Sequence, residues 1–320
     1  MVFGENGLSV AATLPAMSTL PWQAVIDVGT NTSLLLLARR SADGSLEVLE
    51  DRAMITRLGE GVAATGSLAP GAIERTLEAL RIYRRAADEH GAAIRAVTTE
   101  GVRLADNPDE FLVPAAEILG VPMEVISGAE EARLSYLSVA HEYPEGGGLR
   151  VVDIGGASTE LVVGDGERVI SAVSHRIGAV RLTERFVTGD PPTAAEIEGI
   201  AAAVRVVLSA QPLPPSPRLH GLAGTVTTAA ALLLDLDAYD SAQVDGSEHS
   251  LAAIEGLRDR LAGQTLEQRV TPVLARRRAD VVIAGLTLLL EVLRHCGAET
   301  LVVRDRGLRY ALVEGPPAAG

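Results

Sequence analysis

Two stretches of this chain repeat one another. AVIDVGTNTSLLLL, residues 24–37, lies over VVDIGGASTELVVG, residues 151–164, so that Asp27 matches Asp153, Gly29 matches Gly155, Thr30 matches Gly156 and Thr32 matches Ser158. Each copy reads as strand, tight turn, strand, with a carboxylate at the end of the first strand. A glycine-containing turn lets backbone N–H groups approach an oxyanion closely, and the hydroxyls that follow can donate to phosphate oxygens. One such turn is weak evidence, since many hairpins have it. Two in 320 residues imply a duplicated α/β unit whose turns face one another. At one position the copies disagree, with Leu34 in the first and Glu160 in the second. One account is that this strand position faces a core in the first copy and a cleft in the second.

The rest of the chain supports duplication. After the first hairpin, LEVLEDRAMITRLG continues as a third extended segment. SLAPGAIERTLEALRIYRRAADEHG then has Pro70 near its start, Ile73, Leu77 and Leu80 at helical spacing, and Gly91 after the last turn. IRAVTTE and MEVIS read as strands on either side of a short helix, NPDEFLVPAAEILG. The first half is therefore βββ-α-β-α-β. After the turn-like YPEGGG the pattern restarts with LRVVDIG, TELVVG and RVISAVSHRIG. Helices follow around 193–209, 225–234, 250–262 and 278–295, with strands at HGLAG and TLVVRDRG. The chain is thus an α/β protein. The proline-rich QPLPPSP, 211–217, suits a surface loop.

Composition narrows the chemistry. All 28 basic residues are arginine, so a Walker-type loop or a Schiff-base enzyme, each of which needs lysine, is excluded. Any phosphate site must use arginine, backbone N–H groups, hydroxyls and metal. The formal charge of −14 argues against nucleic-acid or acidic-membrane partners. No apolar run approaches the roughly 18–20 residues of a membrane span, and residues 1–22 read as a flexible tail without the basic start of a signal peptide. The single Cys296 excludes a disulfide framework and fits a reducing, cytoplasmic setting as a packing residue.

Three further segments carry candidate sites. In ISGAEEARLSYLSV, Ser127 and Glu130 form a capping box in which the Glu130 carboxylate turns back onto the helix start, leaving Glu131 free for another role or merely solvated. GLAGTVTTAAAL runs from strand to helix, a place for an anion beside Gly224 and Thr225, or for plain capping by Thr225. None of the six histidines has metal-ligand spacing to another; His175 alone, near Arg176 and Gly178, merits attention.

In this order VIDVGTNTSLLLL, SGAEEARL, VVDIGGASTELVVG, GLAGTVTT and RADVVIAGLTLLLEVL resemble the exopolyphosphatase and guanosine pentaphosphate phosphohydrolase family of the actin, sugar kinase and Hsp70 superfamily, over residues 22–315. The resemblance implies two ribonuclease-H-like (actin-like ATPase) lobes with an interdomain cleft, one over 23–130 completed by 308–320 and one over 131–307. It implies hydrolysis of the terminal phosphoanhydride of polyphosphate, or of guanosine pentaphosphate to tetraphosphate, assisted by Mg2+ or Mn2+ in a homodimeric enzyme. Matched position by position, Glu131 falls on the catalytic base and Glu160 on the other active-site glutamate. Asp27, Asp153 and Glu160 fall on metal-binding carboxylates. Thr30, Asn31, Thr32, Gly155, Gly156, Ala157, Ser158, Gly224 and Thr225 fall on phosphate-binding positions, as does Arg103. A cation is demanded on general grounds, because two carboxylates about 4 Å apart repel by roughly 4 kcal/mol at an effective dielectric of 20.

The chain departs from the family pattern at Ala157, where a glycine is usual, at Glu100, where a hydroxyl is usual, and at Arg304 and Tyr310, where serine and glutamate are common. Its length corresponds to the short two-lobe form. Two other functions remain open at this point: a phosphotransferase of the same superfamily, and a non-catalytic sensor of guanosine tetraphosphate or polyphosphate.

Overall fold

The computed structural model describes residues 20–315 apart from 42, 44, 144–147 and 212. The expected tail therefore lies largely outside the described residues, as do most of the YPEGGG turn and one residue of the proline-rich loop. Where the description begins, Trp22 is already anchored. Its carbonyl accepts from Ala93 N at 2.9 Å, and Arg39 lies over its ring at 4.3 Å.

The first half contains β1 (Gln23–Val28), β2 (Ser33–Arg40), β3 (Leu46–Met54), α1 (Val62–Thr65), α2 (Pro70–Glu89), β4 (Ala93–Thr98), α3 (Glu100–Arg103), α4 (Asp109–Leu119) and β5 (Met123–Val125). The second opens with α5 (Gly128–Ala140), β6 (Leu149–Ile154), β7 (Thr159–Asp165), β8 (Arg168–His175), α6 (Ala179–Phe186) and α7 (Ala194–Ser209). It continues with β9 (Arg218–Leu222), α8 (Ala223–Leu233), α9 (Ser241–Val244), β10 (Glu248–Ser250), α10 (Leu251–Ala262) and α11 (Leu266–Arg269). It closes with α12 (Arg276–Ala279), α13 (Val282–His295), β11 (Thr300–Val303) and α14 (Leu308–Glu314). The short helices α1, α3, α9 and α11, the strand β10, and the longer α6 and α14 lie outside the expected elements, and the helix expected around 278–295 is divided into α12 and α13. One- or two-turn elements leave too short a periodic pattern to read.

Among the described residues the strands form two sheets, ordered β3-β2-β1-β4-β5 and β10-β11-β9-β6-β7-β8. Read from the hairpin outward, the second repeats the first: β8, β7, β6, β9 and β11 occupy the places of β3, β2, β1, β4 and β5, with β10 added at the edge. In each, three antiparallel strands are followed by parallel crossovers. This is the ribonuclease-H-like order in duplicate, two lobes of the actin-like fold. No described helix is long and apolar enough to cross a membrane.

Strand alternation sorts the core into three parts. Ile26, Leu35 and Leu37 point outward beneath α2 and α4 with Tyr83 and Phe111. Val152, Ile154 and Leu161 point outward beneath α7, α8, α10 and α13. Between the sheets, Val25 and Leu36 meet Val151 and Val162 through α5 and α14. Asp27 and Leu34 share the inward face with Val25 and Leu36; Asp153 and Glu160 share it with Val151 and Val162. The disagreement between the copies is therefore not core against cleft. Leu34 is half-buried on the cleft wall, whereas Glu160 is 1% exposed, because α5 packs across β7 and β8 and covers it.

Candidate active site

The two turns are built alike. Gly29 N donates to Thr32 O at 3.0 Å, and Gly155 N to Ser158 O at 3.0 Å. A Cβ would stand 3.2 Å from Thr32 O at Gly29 and 3.1 Å from Ser158 O at Gly155. Each turn is buttressed from behind. Gly59 N and Arg57 N donate to Thr30 O and Asn31 O at 3.0 Å, while Ala179 N and Val180 N, opening α6, donate to Gly155 O and Gly156 O at 3.0 and 2.9 Å. The turns also meet, for a Cβ at Gly156 would lie 3.1 Å from Thr30 Cβ. Here the repeat read in the sequence becomes one site.

A cavity of about 610 Å³ opens on both turns. Asp27, Thr30, Asn31 and Thr32 line one side; Asp153, Gly155, Gly156, Ala157 and Ser158 line the other. Glu131 joins them from the first turn of α5. Its helix is capped by Ser127, whose hydroxyl accepts from Glu130 N at 3.2 Å. Only that half of the expected capping box forms. The Glu130 carboxylate takes Nε and Nη2 of Arg133, both at 2.8 Å, since a charged fork outcompetes a neutral N–H.

Gly224 and Thr225 line the cavity further along. α8 begins two residues earlier than expected, at Ala223, where φ is +69°. Thr225 consequently lies inside the helix and is not its cap; Leu222 holds that position with no side-chain hydrogen bond. The first amides of α8 are left for an anion.

Two residues singled out in the sequence stand behind the cavity wall. Glu160 Oε1 accepts from Ser174 Oγ at 2.7 Å. The Nε of Arg103, at 3.0 Å, and its Nη2 both donate to Glu100 Oε2, its Nη1 donates to Ile126 O, and Nη2 lies 3.8 Å from Glu131 Oε2. His175 is outside the site, its Nε2 3.0 Å from Gln211 Oε1. Cys296 is buried, its thiol pushed up to about 11 by desolvation, in keeping with packing.

The electrostatics are those of crowded, dehydrated carboxylates. Burial and then Asp153 push Asp27 up to about 7 against the opposing Arg309. Burial, then Asp153, push Glu160 up to about 8 against hydroxyls of Ser174 and Ser158. Asp153 is raised by burial, although Ser135 Oγ donates to it at 2.6 Å. Glu131 is raised well above the usual range, first by burial and then by Glu160, Asp153 and Asp27. Three oxygens in this cluster, Asp27 Oδ1, Glu131 Oε2 and Glu160 Oε2, are buried without a hydrogen-bond partner. Such a set wants a cation. Among the described residues no three acidic, histidine or cysteine side chains converge tightly enough to cage one alone. A divalent cation held by one or two carboxylates together with water and a bound anion fits this arrangement.

Arg309, Arg278, Tyr239 and Asp305 also line the cavity, and no role was assigned to them from sequence. Arg309, in the first turn of α14, donates to Leu35 O at 3.0 Å and Asp51 Oδ1 at 2.6 Å. Arg278 donates to Thr228 Oγ1 at 3.0 Å and lies against Gly224, where a Cβ would be 3.0 Å from Nη2. Tyr239 donates to Asp305 at 2.6 Å. Arg278 did begin a motif noted in the sequence; the others reach the cavity only through tertiary folding.

Comparison with known proteins agrees with this fold. Residues 37–315 match the Ppx/GppA phosphatase family. Exopolyphosphatase 2 of Mycobacterium tuberculosis is 38% identical over 304 residues, covering 89% of this chain and 95% of that one. Among solved structures, an exopolyphosphatase-like protein superposes with a TM-score of 0.86 at 34% identity, covering 92% of this chain and 97% of the other. The Ppx/GppA family member of Aquifex aeolicus does so with a TM-score of 0.78 at 36% identity, covering 92% and 96%.

Proposed function

The chain belongs to the Ppx/GppA phosphatase family, and from that premise we propose that it hydrolyses the terminal phosphoanhydride of inorganic polyphosphate in the cleft between its lobes. Glu131 carries the reading. It is a carboxylate on the wall of the cavity shared by both turns, with one oxygen buried and unpartnered. Its environment raises its proton affinity, which makes it a better base for water than an exposed glutamate.

In this mechanism the amides and hydroxyls of Thr30, Asn31 and Thr32 hold the terminal phosphate from one side, and those of Gly156 to Ser158 from the other, with Gly155 letting the turn close behind them. Glu131 takes the proton of a water aligned with the departing oxygen. Positioned base catalysis of this kind contributes about 10²- to 10⁴-fold. The larger share comes from in-line placement and charge neutralisation. Asp27 and Asp153, with Glu160 behind them, would hold a divalent cation, magnesium or manganese, which supplies neutralising charge to the phosphate oxygens. The α8 amides beside Gly224 and Thr225, with Arg278, take the next phosphates.

Guanosine pentaphosphate is a second substrate favoured by cavity size. About 610 Å³ is ample for a nucleotide, and Tyr239, Arg278 and Asp305 give that end groups suited to more than phosphate.

The test is phosphate release from tripolyphosphate, long-chain polyphosphate and guanosine pentaphosphate with magnesium, comparing wild type with Glu131→Gln. Release should fall by about 10²-fold or more in the variant. Equal rates would remove Glu131 as base. No release by wild type from any of them would sink the hydrolase reading, and ATP formation from ADP outpacing release would replace it with phosphotransfer.

A further inference from the structure

Asp305 is a carboxylate on the cavity wall that the hydrolytic step does not use. It follows β11, and the strand register places it. Asp153 of β6 is level with Leu222 of β9, and Gly221 of β9 is level with Val303 of β11. Asp305 therefore stands just beyond the end of the second strand over from Asp153, and two strand spacings are roughly 10 Å. From the turns, the wall runs past Gly224 and Thr225 to Tyr239, Ser241, Arg278 and Asp305. A substrate whose terminal phosphate sits in the turns, and whose next phosphates meet α8 and Arg278, brings its remaining part to Asp305.

The carboxylate is fixed from behind. Asp305 N donates to Asp245 Oδ1 at 2.9 Å. Arg304 holds Asp245 in turn, with Nη2 3.3 Å from its Oδ2 and 3.1 Å from Glu142 Oε2, which gives this arginine a task at a position where serine is common. The Tyr239 hydroxyl donates to Asp305 Oδ1 at 2.6 Å and so sets a 45% exposed aromatic ring beside the carboxylate. Among the described residues Asp305 is in no salt bridge.

An acceptor-only group on this wall has a chemical consequence. A carboxylate repels a further phosphate but accepts N–H groups, and it keeps lone pairs beyond the one that Tyr239 takes. Burial raises the proton affinity of Asp305 against the hydroxyls of Ser241 and Tyr239, the condition of a carboxylate short of donors. Of the common bases only guanine presents two adjacent donors, N1–H and the 2-amino group, on one edge. Adenine and cytosine place a ring acceptor beside their amino group, and uracil flanks its N–H with carbonyls, so each turns a lone pair toward the carboxylate.

We propose that Asp305 reads the base of a guanine nucleotide, with the Tyr239 ring as the surface against which the base lies, so that this end of the cleft selects guanosine polyphosphates over adenosine ones. The proposal rests on reading the cleft as a hydrolase site that also takes guanosine pentaphosphate. The phosphates are held alike whichever base follows them, and the carboxylate supplies the difference.

The experiment is equilibrium titration of the β,γ-imido analogues of GTP, ATP and XTP, with magnesium, into wild type and Asp305→Asn. Xanthine carries a carbonyl where guanine has its 2-amino group. Wild type should bind the GTP analogue about ten- to a hundred-fold more tightly than either of the others. An amide can donate to the xanthine carbonyl while still accepting from N1–H, so Asp305→Asn should shift the GTP-to-XTP affinity ratio about ten-fold or more toward xanthine. A residue that merely supports the wall would weaken all three analogues together. Unmoved ratios, no base preference in wild type, or no binding of any analogue would each overturn the proposal. Should Asp305→Asn fail to fold, Tyr239→Phe keeps the ring but removes the hydroxyl that positions the carboxylate; the GTP-to-ATP ratio should then fall about three- to ten-fold, and an unchanged ratio would count against the proposal. Failure of wild type to release phosphate from guanosine pentaphosphate would instead defeat the hydrolase reading, and the titrations, which involve no turnover, would still decide the role of Asp305.

Discussion

Asp153 and Glu160 face one another across the β6–β7 ladder, two carboxylates on one face of a sheet, Glu160 buried and Asp153 half-buried. The equivalent pair in the first lobe is Asp27 and Leu34. In the second lobe the pairing places like charges together under α5, so Glu160 stores electrostatic free energy when no cation is bound. Replacing it by glutamine should raise the stability of the metal-free protein at pH 8 by on the order of a few kcal/mol, as expected for an acid pushed so far from its ordinary value. Phosphate release should fall in the same variant. Thermal melts with a chelator present check the first claim, and a destabilised Glu160→Gln would contradict it.

The same cluster sets a pH dependence. Asp27 near 7, Glu160 near 8 and Glu131 well above its ordinary value all bind protons more tightly in the folded state than when unfolded. Where the folded state holds more protons, stability falls as pH rises. His175, His220 and His249 are lowered from 6.5 and act in the opposite sense, but only below about that pH. Metal-free protein should therefore lose stability from about pH 6.5 upward through pH 8, and magnesium should flatten the decline. Melting temperature against pH, with and without magnesium, measures this; a metal-free curve that rises over the interval would refute it.

Gly178 was noted in the sequence only as a neighbour of His175. A Cβ there would come within 2.5 Å of Gly156 C and O, backbone atoms that cannot swing aside. Gly178→Ala should therefore displace the second turn, lowering activity by about 10²-fold and stability by about 1–3 kcal/mol. Kinetics and denaturant titration would detect both, and near-wild-type activity would show that the turn tolerates displacement.

Arg278 lies against Gly224 at the far end of the cavity. Arg278→Met keeps most of the side-chain volume but removes the charge. The KM for guanosine pentaphosphate should rise about ten-fold, and by more than the KM for tripolyphosphate. Equal effects on the two substrates would count against a nucleoside at that end.

Much of this protein is local and was therefore legible. The D-x-G turns declare themselves through residues four or five positions apart, whose closing hydrogen bonds are internal to the turn. The strands follow from alternation, and α2 and α4 from spacing, proline and glycine. Glu131 is legible as a residue left over once Ser127 caps its helix, although Glu130 in fact pairs with Arg133.

Local pattern alone yields a duplicated α/β chain with two phosphate-type turns and an unexplained carboxylate at Glu160. Which surroundings that carboxylate meets depends on packing between distant elements. Alternation puts Leu34 and Glu160 on equivalent inward faces, but the chain crosses so that α5 covers Glu160, while Leu34 is left on the cavity wall. Packing also brings Arg309 to Asp51 from the far end of the chain and sets Glu100 in the fork of Arg103. Charges separated so widely along the chain, or held together by a single turn of helix, leave no periodic trace. Their pairing is set by packing, and burial then gives each pairing its electrostatic weight.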